Sequence, residues 1–185
     1  MNLEVLTTDV LNKEAIKKLH VSPDGFLQMA FQLAHYKVHK KTVSTYESAS
    51  TAGFKHGRTE CIRSATNESA TFTKIFASPS SSIEQKDAAL RRAIAVHSAT
   101  TLSALMGKGV DRHLFALKKT YEKQNPGKAL PAIFSDKGYA TMNHNTLSTS
   151  TLASAAIEGG GFGPVRESKL SLISLLRQQF ACYVW

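Results

Sequence analysis

The chain has 185 residues, of which 42% are hydrophobic, enough for one domain with a substantial core, and this excludes an intrinsically disordered chain. Its formal net charge of +9 favours an anionic partner: nucleic acid, an acidic membrane surface or a phosphorylated small molecule. It has no helix-turn-helix spacing, zinc-ligand pattern or aromatic RNA-binding motif, so we expect no nucleic-acid partner. Cys61 and Cys182 predict a reducing environment, and no window reaches the ~18 apolar residues of a membrane span.

The predicted elements of the first half alternate between helix and strand. Residues 2–20 have apolar side chains near helical spacing and predict a helix. Ser22 and Pro23 suit the N-cap and first position of a second helix that ends near His39. The segment KKTVSTYES, rich in β-branched and hydroxyl residues, predicts a strand, and residues 51–66 predict a loop with short turns.

The second half continues the alternation. Ser82, at the end of the SPSSS linker, predicts the cap of a long helix from Ile83 to about Met106. The GKG segment ends that helix, and a shorter one is predicted from Asp111 to about Lys123. YATMNHNTLSTSTL has strand composition. The whole pattern predicts the α/β class, a mixed sheet flanked by helices.

Three motifs carry candidate chemistry, and each has an ordinary structural alternative. In LSTSTL, Ser148 and Ser150 face one side of a strand, which fits either a half-buried strand or a polar row directed into a site. Arg112, in GVDRHLFALKK, is either a surface charge or a guanidinium that binds a carboxylate through two hydrogen bonds. Lys13 and Lys17 lie four residues apart, which fits a solvated helix face or a phosphate clamp.

Together these motifs resemble the choline/carnitine acyltransferase family. The matching segments are SPDGFLQMAFQLAHYKVHKKTVSTYESASTAGFKHGRTECIRSAT, GKGVDRHLFAL, NHNTLSTSTL and GGFGPV, in that order and at fitting intervals. The resemblance covers residue 12 to Val165 and is strongest to the mitochondrial, long-chain carnitine branch. It implies the coenzyme A-dependent, chloramphenicol acetyltransferase-like fold in incomplete form: residues 1–165 would be a partial C-terminal domain, and residues 166–185 a divergent tail.

The resemblance implies carnitine and coenzyme A as substrates, with no permanently bound cofactor and no metal. The donors to the carnitine carboxylate would be Tyr46, Ser48, Thr59 and Arg112. The trimethylammonium group, which cannot donate hydrogen bonds, would lie against Phe162, with Ser148 and Val165 beside it. Ser150 would stabilise the oxyanion of the tetrahedral intermediate, a contribution of about 3–4 kcal/mol in such sites.

The coenzyme A residues implied by the resemblance are Lys13, Lys17, Asp24, Ser50 and Thr151. The two lysines would bind the anionic 3′-phosphate, which is consistent with the net positive charge of the chain. Choline acetyltransferases share the YESAS block but carry an apolar residue at the position of Thr59. The combination of GRTE with DRH therefore points to carnitine, whose carboxylate needs such donors.

The family's catalytic base is a histidine in an H-x-x-x-D motif. His20 and Asp24 have this spacing, but they align with the coenzyme A segment, so we expect His20 to have no catalytic role. The other histidines have no aspartate at that spacing. We therefore expect the base to be absent from this chain, as in a truncated, alternatively spliced or wrongly predicted gene product.

Two further expectations concern the tail and the setting. Leu170 to Leu176 are apolar enough for a short helix. By resemblance the chain would be mitochondrial, and its full-length relative would associate with the inner membrane. A non-catalytic carnitine- or coenzyme A-binding or regulatory module is the alternative function. A basic nucleic-acid binder is a more distant one.

Overall fold

A computed structural model of the protein describes residues 4–8, 10–152, 170–176 and 180–184. Within these ranges the strands are β1 (Glu4–Thr8), β2 (Thr45–Ser50), β3 (Thr59–Ile62), β4 (Leu147–Leu152), β5 (Leu170–Leu176) and β6 (Phe180–Val184). The helices are α1 (Lys13–Lys18), α2 (Pro23–His39), α3 (Asn67–Ala77), α4 (Ile83–Leu105), α5 (Asp111–Gln124) and α6 (Lys137–Asn143), with a 3₁₀ turn at Ala132–Ser135.

The strands form a mixed sheet in the order β1-β6-β5-β4-β2-β3. Strand β4 runs parallel to both β2 and β5, and the remaining neighbours are antiparallel. The predicted class, α/β with a mixed sheet flanked by helices, is therefore confirmed. Strands β2 and β4 lie side by side although about a hundred residues separate them in the sequence, so the sheet unites the YESAS and LSTSTL blocks.

The predicted helix starts are confirmed by their capping hydrogen bonds. The Ser22 side chain accepts a hydrogen bond from the Gly25 backbone N–H at 3.2 Å, with Pro23 in the first turn of α2. Ser82 and Gln85 form a capping box at the start of α4. These local signals satisfy N–H groups that have no partner inside the helix, which is why the sequence specifies the starts well.

The core lies where α2 and α4 pack on one face of β2, β3 and β4 and where α3 packs against these two helices. Leu147 of β4 is fully buried against Leu27 and Phe31 of α2. Phe72 of α3 and Ile94 of α4 belong to a second buried cluster between the helices. The helices thereby cover one face of the central strands and leave the other face for polar side chains.

The predicted helix over residues 2–20 is wrong for its first part. Glu4–Thr8 is a strand because its backbone pairs antiparallel with Phe180–Val184, a partner at the far end of the chain. Only Lys13–Lys18 is helical, and Asn12 caps it by accepting from the Ala15 N–H. Val5, Thr7 and Thr8 suit a strand, and the distant partner decides between the two states.

Three other expectations are wrong. Residues 51–66 contain strand β3, which pairs with β2. The region with strand composition before LSTSTL is split, because Lys137–Asn143 forms helix α6, capped by Asp136. Leu170–Leu176 is a strand rather than a helix, since its backbone pairs with both β4 and β6. No described helix is both long enough and apolar enough to cross a membrane.

Candidate functional site

The two faces of strands β2 and β4 differ in burial. Thr45, Glu47, Ala49, Leu147 and Thr149 face the helices and are all buried. The alternating positions, which face the other way, are half-buried: Tyr46, Ser48, Ser148 and Ser150. Such alternation follows from the two-residue period of a strand. The hydroxyls of these four residues, all in the described part of the chain, make no intramolecular hydrogen bond.

The register of β2 against β4 brings the predicted hydroxyls together. Tyr46 lies opposite Ser148, and the same register continued along the strands places Ser48 beside Ser150. Neighbouring strands are about 4.8 Å apart, so these side chains form one compact polar patch. The structure thus places residues predicted for the carnitine carboxylate next to the residue predicted for the oxyanion.

Arg112 and Thr59 are also in direct contact. The Arg112 guanidinium donates from Nε to the Thr59 carbonyl oxygen at 2.9 Å and from Nη2 to the Thr59 hydroxyl at 3.2 Å. Thr59 pairs with Ser50 in the β2–β3 ladder. Ser50 is four residues beyond Tyr46, about 13 Å along an extended strand. The predicted carnitine residues therefore form two groups on one sheet, with Ser48 between them in the sequence of β2.

Arg112 owes its position to a residue that the sequence analysis did not identify. Helix α5 has no side-chain cap of its own at Val110. Instead, the buried Glu60 carboxylate accepts hydrogen bonds from the Arg112 backbone N–H at 3.3 Å and from the Cys61 N–H at 2.7 Å. A carboxylate at a helix N-terminus also interacts favourably with the helix dipole. The GRTE and DRH motifs are thus physically linked.

A cavity of about 200 Å³ opens between the ends of β2 and β4 and helices α2 and α4. The predicted residues that line it are Asp24, Ser48, Ser50 and Thr151. Three of these were predicted for coenzyme A and one for carnitine. Ile62, Thr101 and Leu105 supply the apolar and neutral part of the wall. The cavity is therefore the place where the two predicted sets of residues meet.

The remaining predicted residues lie apart from this cavity or outside the described ranges. Lys13 and Lys17 share the short helix α1, and the Lys17 ammonium pairs with Glu14 at 3.1 Å with half of its side chain exposed. Phe162 and Val165 lie outside the described residues. The position of the trimethylammonium subsite therefore stays a prediction.

Beneath the patch, a buried polar cluster surrounds Glu47. Its carboxylate oxygen Oε2 lies 2.7 Å from Nε2 of His97 and accepts a hydrogen bond from the Ser64 hydroxyl at 2.6 Å. Burial raises the pKa of the Glu47 carboxyl, and the contact with His97 opposes that rise. Burial alone would lower the pKa of His97, but Glu47 and the nearby Asp24 outweigh it and raise that pKa. One proton shared between Nε2 and Oε2 satisfies both groups.

The same cluster is the one group of potential metal ligands found among the described residues. Asp24, Glu47 and His97 each offer a ligand atom, and these atoms lie within 4.8 Å of one another. Ligands of one zinc ion at ~2.0–2.1 Å in tetrahedral geometry stand more than 3 Å apart. The 2.7 Å separation of the imidazole and carboxylate atoms fits a hydrogen bond better.

The His20 and Asp24 pair does not form a catalytic dyad in the structure. His20 is exposed, has a left-handed backbone at φ 56°, and makes no hydrogen bond to Asp24. Asp24 lies instead beside Glu47 and His97. Sequence spacing failed to identify the His97–Glu47 contact because its partners are 50 residues apart and on different elements.

Comparison with known proteins identifies the family. The sequence model of the family described as Choline/Carnitine o-acyltransferase matches residues 1–170. The chain therefore belongs to the choline/carnitine O-acyltransferase family, and the resemblance found in its motifs is confirmed.

The relatives include both carnitine and choline enzymes by name. Mitochondrial carnitine O-palmitoyltransferase 2 of Mus musculus is 42% identical over 170 residues, which is 88% of this chain and 26% of the relative. A putative mitochondrial carnitine O-acetyltransferase of Saccharomyces cerevisiae is 38% identical over 157 residues, 84% of this chain and 23% of the relative. Choline O-acetyltransferase of Gallus gallus is 39% identical over 168 residues, which is 89% of this chain and 26% of the relative. The chain spans about a quarter of the length of the curated relatives it matches.

Proposed function

We propose that this chain supplies the carnitine- and coenzyme A-binding residues of a carnitine O-acyltransferase, which moves an acyl group between coenzyme A and carnitine. The observation that carries the proposal is the cavity where Asp24, Ser48, Ser50 and Thr151 meet. The half-buried hydroxyls beside it and the Arg112–Thr59 contact support the same conclusion.

The carnitine carboxylate is bound by charge and by neutral donors. Arg112 offers a planar guanidinium that can donate two parallel hydrogen bonds to a carboxylate. Thr59, Tyr46 and Ser48 add hydroxyl donors. The trimethylammonium end lies against Phe162, because a ring face attracts a cation that has no hydrogen-bond donor. Ser148 lies beside this end.

The reaction joins the carnitine hydroxyl oxygen to the thioester carbon. Attack forms a tetrahedral intermediate with a negative oxygen, to which the Ser150 hydroxyl donates. Collapse of the intermediate breaks the carbon–sulfur bond, and the proton removed from the carnitine hydroxyl goes to the departing sulfur, so that coenzyme A is released as its thiol. A histidine base takes the proton of the carnitine hydroxyl in this family, and we assign that role to no histidine of this chain. Lys13 and Lys17 bind the 3′-phosphate, and Asp24, Ser50 and Thr151 line the coenzyme A side.

Calorimetric titration of the full chain tests the carnitine part. We expect carnitine to bind more tightly than choline, which lacks the carboxylate. Arg112→Gln is expected to lower the affinity for carnitine by about 10- to 100-fold, since a hydrogen bond to a charged group contributes ~1.5–3 kcal/mol. Arg92→Gln removes the same charge from the exposed face of α4 and is the matched control. Equal binding of carnitine and choline would contradict the proposal.

The coenzyme A part has its own comparison. Coenzyme A is expected to bind more tightly than 3′-dephospho-coenzyme A, and the double change of Lys13→Gln and Lys17→Gln should abolish the difference. The control changes Lys37→Gln and Lys41→Gln, also four residues apart and exposed, should leave it intact. If the control lowers the difference equally, the lysines contribute only general charge.

Turnover separates the enzyme from the alternative, a binding or regulatory module. With palmitoyl-coenzyme A and carnitine we expect little transfer by this chain, because none of its histidines is assigned as the base. Turnover that disappears in His20→Ala would instead make His20 the base. A long-chain preference and a mitochondrial location complete the proposal. They draw on the relatives named mitochondrial carnitine O-palmitoyltransferase 2.

A further inference from the structure

Glu47 is the one carboxylate of strand β2, and it lies between Tyr46 and Ser48 in the sequence. The side chains of those two neighbours point away from the helices, whereas Glu47 is 3% exposed beneath α4. It is held from two directions: Ser64 donates to it from the segment after β3, and His97 approaches from α4. The strand is thus tied to the helix layer at the point between two predicted substrate-binding residues.

Stability alone does not account for this pair. Burying ionisable groups carries a desolvation cost, and an apolar pair of similar volume is often equally stable. Among the described residues, Nδ1 of His97 is buried without a hydrogen-bond partner, which adds to this cost. Ala49 and Leu147 on the same sheet face show that apolar side chains pack against these helices. What the polar pair adds is a fixed geometry, since a hydrogen bond restrains direction and distance and apolar contact does not.

We propose that Glu47 and His97 are positioning residues for the carnitine site, whose shared proton ties β2 to α4 and so fixes Tyr46 and Ser48. This inference rests on the proposed function, because the role of Tyr46 and Ser48 belongs to it. Glu47 and His97 are almost completely buried, although Glu47 also forms part of the cavity wall. Their main effect on binding is expected to pass through the backbone of β2.

The groups that face the pair set its pH dependence. Asp24 at the start of α2 is the charged neighbour, and Ser64 is the neutral donor. The Asp24 charge opposes loss of the proton from the pair, as does Glu47 itself. At high pH the imidazolium loses its charge while Nε2–H still donates to Glu47, so two carboxylates then face a neutral imidazole. The hydrogen bond between His97 and Glu47 is then weaker, because it joins a carboxylate to a neutral ring. Carnitine affinity should therefore fall as the pH rises above the ordinary pKa of a histidine.

The test compares Glu47→Gln with the control Ile94→Val in the full chain. Ile94 is a buried apolar residue of the same helix, and its truncation to valine lowers stability while it leaves both groups of the pair in place. Calorimetry from pH 6 to pH 9 should show carnitine binding that weakens with rising pH in the wild type. Glu47→Gln should bind carnitine about tenfold more weakly at pH 6.5, with a flat pH profile. An Ile94→Val profile like that of Glu47→Gln, or a Glu47→Gln profile like the wild type, would overturn the inference.

A measurement without ligand keeps the two proposals distinguishable. Hydrogen exchange followed by NMR should show reduced protection of the Tyr46 and Ser48 amides in Glu47→Gln but not in Ile94→Val. If the wild type binds no carnitine, the proposed function fails, and the exchange result alone decides whether the pair positions β2. Unchanged protection of both amides in Glu47→Gln would refute the positioning role even where carnitine binds.

Discussion

Gly109→Ala is the substitution for which the structure gives the sharpest prediction. A methyl group on Gly109 would overlap Cγ of Glu60 and lie 2.5 Å from its Cδ, far inside van der Waals contact. Glu60 is buried and cannot swing into solvent without leaving its hydrogen bonds to the backbone of Cys61 and Arg112. The substitution therefore produces a steric clash between the start of α5 and strand β3, which carries Thr59.

The magnitude follows from two contributions. Overpacking of a well-packed site costs about 1–3 kcal/mol. Loss of a carboxylate that serves as a helix cap costs about 0.5–2 kcal/mol. Because displacing Glu60 relieves part of the clash, we expect a loss of about 2–4 kcal/mol in the free energy of unfolding. For a chain of this size that corresponds to a fall in Tm of roughly 4–16 °C.

Urea and thermal unfolding measure this loss against Gly53→Ala. Gly53 has no atom within 4 Å of the added methyl group, so its substitution should change stability by about 0.5 kcal/mol or less. In a Glu60→Ala background, Gly109→Ala should lose most of its effect, because the group that it strikes is gone. Equal losses for Gly109→Ala and Gly53→Ala, or an unchanged loss in the Glu60→Ala background, would refute the reasoning.

Three other predictions use stability and reactivity. His97 has a raised pKa, so its stabilising contribution is fully present below its ordinary value of 6.5 and is lost as the pH rises through the raised pKa. Denaturation from pH 6 to 9 should show this decline, and Glu47→Gln should flatten it. Burial and the Asp111 charge raise the pKa of the Cys61 thiol to about 11. Alkylation of Cys61 at pH 8, followed by peptide mass spectrometry, should therefore be about 100-fold slower in the folded chain than in urea, and equal rates would count against it. Ser82→Ala removes half of a capping box and should cost about 1 kcal/mol by urea unfolding; a cost near zero would mean that the start of α4 frays without consequence.

Local signals in the sequence predicted α2, α4 and α5 but not α3 or α6, and they predicted several strands badly. Ser22 and Ser82 predict the starts of α2 and α4 because a capping side chain bonds to an N–H group within one turn of its own position. Glu4–Thr8 and Leu170–Leu176 were predicted as helical, yet both are strands, because each is paired to a segment that no local window contains. Strand pairing is a non-local interaction, so it overrides weak local preference.

By itself the sequence determined the α/β class and the family, and it predicted the residues that we propose bind a zwitterionic substrate and a phosphorylated thioester. The order of the motifs and the chemistry of their residues contain that information, because both can be read without knowing the tertiary structure. Only the tertiary structure decided that Arg112 touches Thr59 through a helix start held by Glu60, and that Glu47 meets His97 beneath β2. These contacts join residues about 50 positions apart, and their strength depends on burial and on distances that arise only when sheet and helices pack.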